Sequence, residues 1–142
     1  MGRRGLSLVE LLVILVILGV VLAIASFNGQ RTLLGQQQAA FLNTLQGLFW
    51  EGATEAASRG RQLALWYQGN RLEIREGNQV RRWVEVPKGV VLNLPQGELV
   101  RFLPPGKLEG SGMALGSPFT VVVEDRTYTY LVSLIGEVKA SQ

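Results

Sequence analysis

Glu10 is a lone carboxylate at the start of an apolar run. No other ionisable side chain in the sequence has as great a need for an oppositely charged partner. From Leu11 to Gln30 the chain contains no charged residue. A charge at the centre of a membrane helix costs roughly 2.5 to 3.5 kcal/mol on insertion scales. We therefore expect Glu10 to pair with a positive group.

The other candidate residues give little support for catalysis. The chain has no cysteine and no histidine, which excludes a thiol nucleophile and the commonest general base, and leaves serine hydroxyls without a histidine to activate them. Glu51 and Glu55 lie four residues apart, but Arg59 follows at the same spacing. A solvated helix face with one ion pair explains these three residues. The sequence predicts no enzyme, no metal site and no cofactor.

Basic side chains could form a surface for nucleic acid, although the overall charge is small. The net charge of +3 falls to +1 if Arg3 and Arg4 are removed, because 12 basic and 11 acidic side chains then remain. Local patches could still bind phosphate. The candidates lie on predicted strands that also contain Trp66, Tyr67 and Trp83, and they are Arg71, Arg75, Arg81 and Arg82. The alternative is solvated strand faces with the aromatic residues in the core.

The N-terminal part of the chain is predicted to form one long helix. After Phe27 the sequence becomes polar, and apolar residues then recur at intervals close to 3.6, from Leu34 to Ala57. Gly60 is a plausible helix end. We expect a helix that begins in the apolar run, is loosened at Gly29 and Gly35, and reaches about Ser58.

Short strands are predicted after this helix, which makes the fold class α+β. Gly69-Asn70 is a tight-turn pair between two of them, and Pro104 to Ser117 is rich in Gly, Ser and Pro and predicts a loop. The predicted strands are Leu63–Tyr67, Arg71–Arg75, Val80–Val86, Val90–Leu94, Leu99–Leu103, Phe119–Val123 and Thr127–Leu134. We expect one long helix packed on a small antiparallel β domain.

Three interpretations of the N-terminal segment remain at this point. A secretory signal peptide would need small residues after the apolar run, and Ala23-Ile24-Ala25 supplies them. A simple uncleaved anchor would need length, and the 22 residues from Leu6 to Phe27 span about 33 Å as a helix. Neither interpretation explains Glu10. The third starts from Gly5 followed by Leu6-Ser7-Leu8-Val9-Glu10.

This sequence resembles the processing site of type IV pilins and of the related pseudopilins of type II secretion. The resemblance implies cleavage between Gly5 and Leu6 by a prepilin peptidase, methylation of the new N-terminus, and Glu10 as the family's assembly glutamate. It divides the chain into a leader (1–5), a transmembrane and filament-core helix (6–27), an amphipathic stem helix (28–60) and an antiparallel β domain (61–142). Leu6 departs from the phenylalanine that the family most often has there.

Three later segments resemble the FimT/H-type class of minor pilins. They are Glu55–Arg61, Phe102–Lys107 and Leu134–Lys139. Some FimT-like proteins help to take up DNA through the last segment. Here Gly136 and Lys139 match that pattern, whereas Glu137 stands where the pattern prefers arginine and would repel phosphate.

The resemblance also implies partners and a location. It implies contact with other pilin subunits, the peptidase, an inner-membrane assembly platform and membrane lipid, with DNA as a further candidate ligand. The protein would cross the bacterial inner membrane once, with its β domain outside the cytoplasm, and then enter a pilus or periplasmic filament. A pseudopilin of type II secretion is the alternative, and so is a DNA- or substrate-binding module displayed on the filament.

Overall fold

The computed structural model of the protein describes Gly5 and residues 7–141, and its first element is one long helix. This helix, α1, runs from Leu8 to Arg59. Helical structure continues through Gly29 and Gly35, so the loosening predicted there does not occur. Gly60 has a φ of 63° and the N–H of Arg61 donates to the carbonyl of Ala56 over 3.3 Å. This left-handed glycine with a backward hydrogen bond is a Schellman end, as predicted for Gly60.

The chain divides into two compact units, the first ending at Gln36 and the second beginning at Gln37. In the first unit the described side chains from Leu8 to Leu33 are all exposed. The second unit contains the rest of α1 and all of the strands. Among the described residues, the hydrophobic core therefore lies in the second unit.

Nine strands are present among the described residues, and every pairing between them is antiparallel. One sheet of five strands has the order β3-β2-β1-β5-β6, and a second sheet of four has the order β4-β7-β8-β9. The strands are β1 Leu63–Gln68, β2 Arg71–Glu76, β3 Gln79–Glu85, β4 Val90–Leu92, β5 Gly97–Leu103, β6 Lys107–Gly110, β7 Phe119–Val123, β8 Arg126–Val132 and β9 Val138–Ser141. The expected α+β layout, a long helix on antiparallel sheet, is confirmed.

Two strands lie where the sequence predicted none. β6 falls inside the segment predicted as a loop, where it pairs with β5 and buries Leu108 completely. β9 pairs with β8 near the C-terminus, with Tyr130 opposite Ala140. Both strands have four residues, too few for an alternating pattern to be recognised, and both depend on a longer neighbour for their hydrogen bonds. The predicted strand Val90–Leu94 is also shorter and ends at Leu92.

The core joins the second half of α1 to both sheets. Phe49 of α1 lies 6.4 Å from Phe119 of β7, measured between ring centroids, and Phe119 lies 5.8 Å from Tyr130 of β8. On the five-stranded sheet, the ring of Phe102 packs directly against Gly52, where a Cβ atom would come within 2.5 Å of the ring. The ring of Phe102 can therefore lie this close to α1 only because residue 52 is a glycine.

This close approach gives a test of the packing. Gly52→Ala forces the Phe102 ring to move, and overpacking of this kind costs about 1 to 3 kcal/mol. The gain in helix propensity, about 1 kcal/mol, offsets only part of it. We expect the free energy of unfolding to fall by up to about 2 kcal/mol, measured by urea denaturation in detergent micelles.

Gly47→Ala is the matched control, because Gly47 lies on the same helix and, apart from the adjacent residues and backbone of that helix, no atom lies within 4 Å of the place that an added methyl group would occupy. It should leave the protein unchanged or stabilise it by about 0.5 to 1 kcal/mol. Equal effects of the two substitutions would contradict the packing described for Phe102.

Candidate functional site

The first turn of α1 holds Glu10 in a pair of reciprocal hydrogen bonds. The backbone N–H of Ser7 donates to Oε2 of Glu10 over 3.1 Å, and the backbone N–H of Glu10 donates to Oγ of Ser7 over 3.2 Å. This arrangement is a capping box, in which the two side chains satisfy backbone N–H groups that the helix leaves free. The carboxylate also lies at the positive end of the helix dipole, which favours its charge.

Ser7 is a functional residue that the sequence reasoning missed. The signal was available, because a serine followed three residues later by a glutamate, just before an apolar run, is the sequence form of a capping box. In this structure the partner of Glu10 is therefore not a positive group but the neutral backbone N–H of Ser7 in the same chain. Only Oε2 of the carboxylate is used, and none of the described residues donates a hydrogen bond to Oε1.

Gly5 lies immediately before this turn and is exposed. Leu6, the other residue of the predicted processing site, lies outside the described residues, as do residues 1–4 of the predicted leader. The structure therefore gives the geometry on the C-terminal side of the predicted cleavage point, where α1 begins within three residues of Gly5.

The apolar run after Glu10 presents its side chains to the surroundings on all sides. Its large aliphatic residues are about half-exposed, from 48% at Val13 and Ile14 to 61% at Leu22. Among the described residues, α1 is the helix long and apolar enough to cross a membrane, by length and composition. The run ends at Phe27, whose ring carries the guanidinium of Arg31 at 4.6 Å. A helix with apolar residues on every side needs hydrocarbon or other helices around it.

The candidate nucleic-acid residues on β2 are held by one buried carboxylate. Glu73 lies on β2 between Arg71 and Arg75, and its side chain is 2% exposed. Nε of Arg71 lies 2.9 Å from Oε1 of Glu73, and Nε of Arg75 donates to Oε2 over 2.6 Å. The two guanidinium groups stack on tryptophans, Arg71 on Trp83 at 5.5 Å and Arg75 on Trp66 at 4.7 Å. Arg71 and Arg75 thus lie together with the two tryptophans, and binding of nucleic acid by them stays a prediction.

The other three candidates lie elsewhere. Arg81 of β3 donates to Glu76 over 2.9 Å, and Arg82 forms an ion pair with Glu51 of α1. Lys139 lies on β9 of the four-stranded sheet, with its Nζ 3.9 Å from the carboxylate of Glu137. The five predicted residues are therefore divided among separate places on the second unit, and each of them has a carboxylate partner.

The residues considered for catalysis take structural roles. Nε of Arg59 lies 3.1 Å from Glu55, which confirms the ion pair predicted at that spacing. Glu51 is engaged by Arg82. Within residues 7–141 there is no group of three acidic, histidine or cysteine side chains that could hold a metal ion.

One family of known proteins matches the N-terminal part of the chain, which includes the first turn of α1. The family model described as the prokaryotic N-terminal methylation motif matches residues 1–26. No curated protein and no solved structure matches the chain.

The matched motif is the signal of type IV pilins and pseudopilins, a structural rather than an enzymatic family. It implies processing by a prepilin peptidase and assembly with other pilin subunits. Together with the apolar helix, it fits a single-pass protein anchored in the inner membrane. The chain thus begins with the processing and methylation signal of type IV pilins and pseudopilins, placed on a pilin-like α+β fold.

Proposed function

We propose that the protein is a minor pilin, a subunit that enters a type IV pilus or a pilus-like filament and supports its assembly. One observation carries the proposal: a carboxylate caps the first turn of a helix whose next 20 residues are uncharged and exposed. Such a helix suits a bilayer before assembly and a bundle of like helices afterwards.

Cleavage between Gly5 and Leu6 is the first step of the proposed pathway. Arg3 and Arg4 precede that bond, and basic residues flanking a membrane helix favour the cytoplasmic side. The cut would therefore be made at the cytoplasmic face, with the β domain outside the cytoplasm. Because the cut precedes the apolar run, the mature protein keeps its membrane helix.

Glu10 then changes partner during assembly. In the isolated subunit its Oε2 accepts from Ser7 within the same turn. In the filament, Oε1, to which no described residue donates, would accept a charge-assisted hydrogen bond from the methylated α-ammonium of a neighbouring subunit. Such a bond in a low-dielectric environment is stronger than a neutral one and fixes the register between subunits. Small residues of the exposed run, Gly19, Ala23 and Ala25, would let neighbouring helices approach closely.

A minor pseudopilin of a type II secretion system uses the same parts and is the alternative within this proposal. The segments that resemble the FimT/H-type class favour the pilus. DNA binding by the basic residues stays a prediction outside the proposal, because each of the five lies beside a carboxylate that offsets its positive charge.

The role of Glu10 can be separated from the role of the cap. Glu10→Gln keeps an oxygen acceptor for Ser7 but removes the charge, whereas Ser7→Ala removes the hydroxyl of the cap and keeps the charge. Hydrogen bonds to charged groups contribute about 1.5 to 3 kcal/mol, so Glu10→Gln should lower incorporation into sheared filaments roughly tenfold or more. Ser7→Ala should have a much smaller effect.

Membrane fractionation provides the control, since both variants should insert as well as the natural protein. Incorporation of Glu10→Gln at the natural level would show that no charged partner is needed, and the proposed exchange would then be wrong.

Processing is tested by mass spectrometry of the protein isolated from its native host. We expect a mature chain that begins at Leu6 and carries one added methyl group on its α-amine. An intact leader, or cleavage after Ala25, would support the anchor or the signal peptide instead.

The pairing of Arg81 predicts a pH effect. Hydrogen bonds from Arg61 and then from Arg81 lower the pKa of Glu76 below its usual value. We expect Arg61→Gln, and to a smaller degree Arg81→Gln, to raise that pKa in an NMR titration. Since the folded-state pKa is the lower one, the stabilisation is present above the unfolded pKa and disappears as the pH falls through the folded value.

Arg101→Gln is the control for this titration, because Arg101 pairs with Glu98 rather than with Glu76. It should leave the pKa of Glu76 unchanged. A similar response of Glu76 to all three substitutions would show that the effect is not specific to its two partners.

A further inference from the structure

The outer face of the five-stranded sheet contains a row of three side chains that the assembly function does not use. Trp66 of β1 lies opposite Glu73 of β2, and Glu73 lies opposite Trp83 of β3. The neighbours of Glu73 along its strand, Leu72 and Ile74, are buried in the core. Because side chains alternate along a strand, Glu73 and the two tryptophans lie on the side away from that core.

Glu73 makes this face unusual, since a carboxylate on an outer sheet face normally lies in water. Here its side chain is 2% exposed beneath Arg71 and Arg75. Desolvation of a carboxylate is costly unless its partners are well placed. The two arginines meet that condition and are in turn fixed in position, each stacked on a tryptophan. The face is therefore preorganised without any ligand.

A cleft of about 570 Å³ lies between the β1–β2 turn and β3, and Arg71, Glu73 and Arg75 are part of its lining. Trp83 does not line the cleft but adjoins it through the stacked guanidinium of Arg71. The charges of the cleft balance, because Arg71 and Arg75 are matched by Glu73 and Glu85. Its hydrogen-bonding groups are mixed. Within the described part of the chain, the amide nitrogen of Gln68, the terminal nitrogens of Arg71 and the carboxylate of Glu85 form no hydrogen bond to protein. Donors and an acceptor are thus both available.

We propose that this face binds a carbohydrate chain of uncharged pyranose residues. A pyranose ring has one face of C–H groups and an edge of hydroxyls, each of which both donates and accepts. The C–H face suits the indole of Trp83, which is 52% exposed, through dispersion contacts. The hydroxyls suit Gln68, Arg71 and Glu85, which are the few convergent polar groups expected of a ligand site.

The charge balance selects this ligand over a nucleic acid. A phosphate backbone gains affinity from an excess of cations, whereas the two arginines of the cleft are offset by two carboxylates. The stacked arginines also cover one face of each tryptophan at 4.7 to 5.5 Å. An uncharged ligand loses nothing to Glu73 and Glu85 and can use Glu85 as an acceptor.

The test is a titration of the full-length protein with cellotetraose and with chitotetraose, followed by calorimetry and by tryptophan fluorescence. The protein is kept in a polyoxyethylene detergent, because detergents with sugar headgroups would compete. We expect saturable binding of at least one tetrasaccharide. Trp83→Ala should weaken it at least tenfold, and Arg71→Gln should weaken it as well.

Trp50→Phe is the matched control, since Trp50 is similarly exposed (57%) but lies on α1. It should bind like the natural protein, and the thermal melts of all variants should agree. The proposal is overturned if neither tetrasaccharide binds at millimolar concentration or if Trp83→Ala binds equally well. Tighter binding of a single-stranded oligothymidylate than of either sugar would assign the face to nucleic acid instead.

Discussion

The need to cover an apolar helix on all sides determines the environment in which this protein can exist. From Leu8 to Leu33 the described side chains of α1 are all exposed, and from Leu11 to Gln30 none is charged. Water is a poor environment for such a segment, so its free energy depends on lipid or on other helices. The single carboxylate at its start is partly satisfied within the first turn, where the backbone N–H of Ser7 donates to one of its two oxygens. The chain is in this sense incomplete as a monomer.

The second unit, in contrast, buries its apolar side chains in a core of its own. Its hydrophobic residues form one cluster that includes α1 from Phe41 to Ala56 and strands of both sheets. On the outer face of the larger sheet, a buried carboxylate takes the place of apolar packing, and the stacked arginines and tryptophans exclude water from it. The unit therefore holds its shape without help from neighbours, in contrast to the helix that precedes it.

The features that sequence could predict were those with a strong local signal. The long uncharged run, the carboxylate before it and the glycine that ends α1 each depend on a few adjacent residues, and all three were placed correctly. Most strands were also found, because their alternation is longer than four residues. The tight turn at Gly69-Asn70 was found for a similar reason, since glycine there adopts a φ of 61°.

What escaped prediction depends on residues far apart in sequence. β6 and β9 have no pattern of their own and exist as partners of β5 and β8. The burial of Glu73 could not be inferred from β2 alone, because Trp66 and Trp83 come from the strands on either side. Ser7 is the exception, since its signal is local and consists of a serine three residues before Glu10. The pairing of the basic residues with glutamates depends on tertiary contacts such as that between Arg82 and Glu51.

The order in which the chain visits its two sheets has a mechanical consequence. β1 to β3 lie in the first sheet, β4 in the second, β5 and β6 in the first again, and β7 to β9 in the second. Neither sheet is formed by one continuous segment of the chain. Each contains strands that the chain reaches only after it has passed through the other sheet. Tension applied along α1 reaches the domain first at Gln38, whose amide donates to the carbonyl of Lys88 and to Glu124, and then at the buried residues of α1 from Phe41 onward. A subunit loaded through its helix would thus resist as a whole rather than unravel from one end.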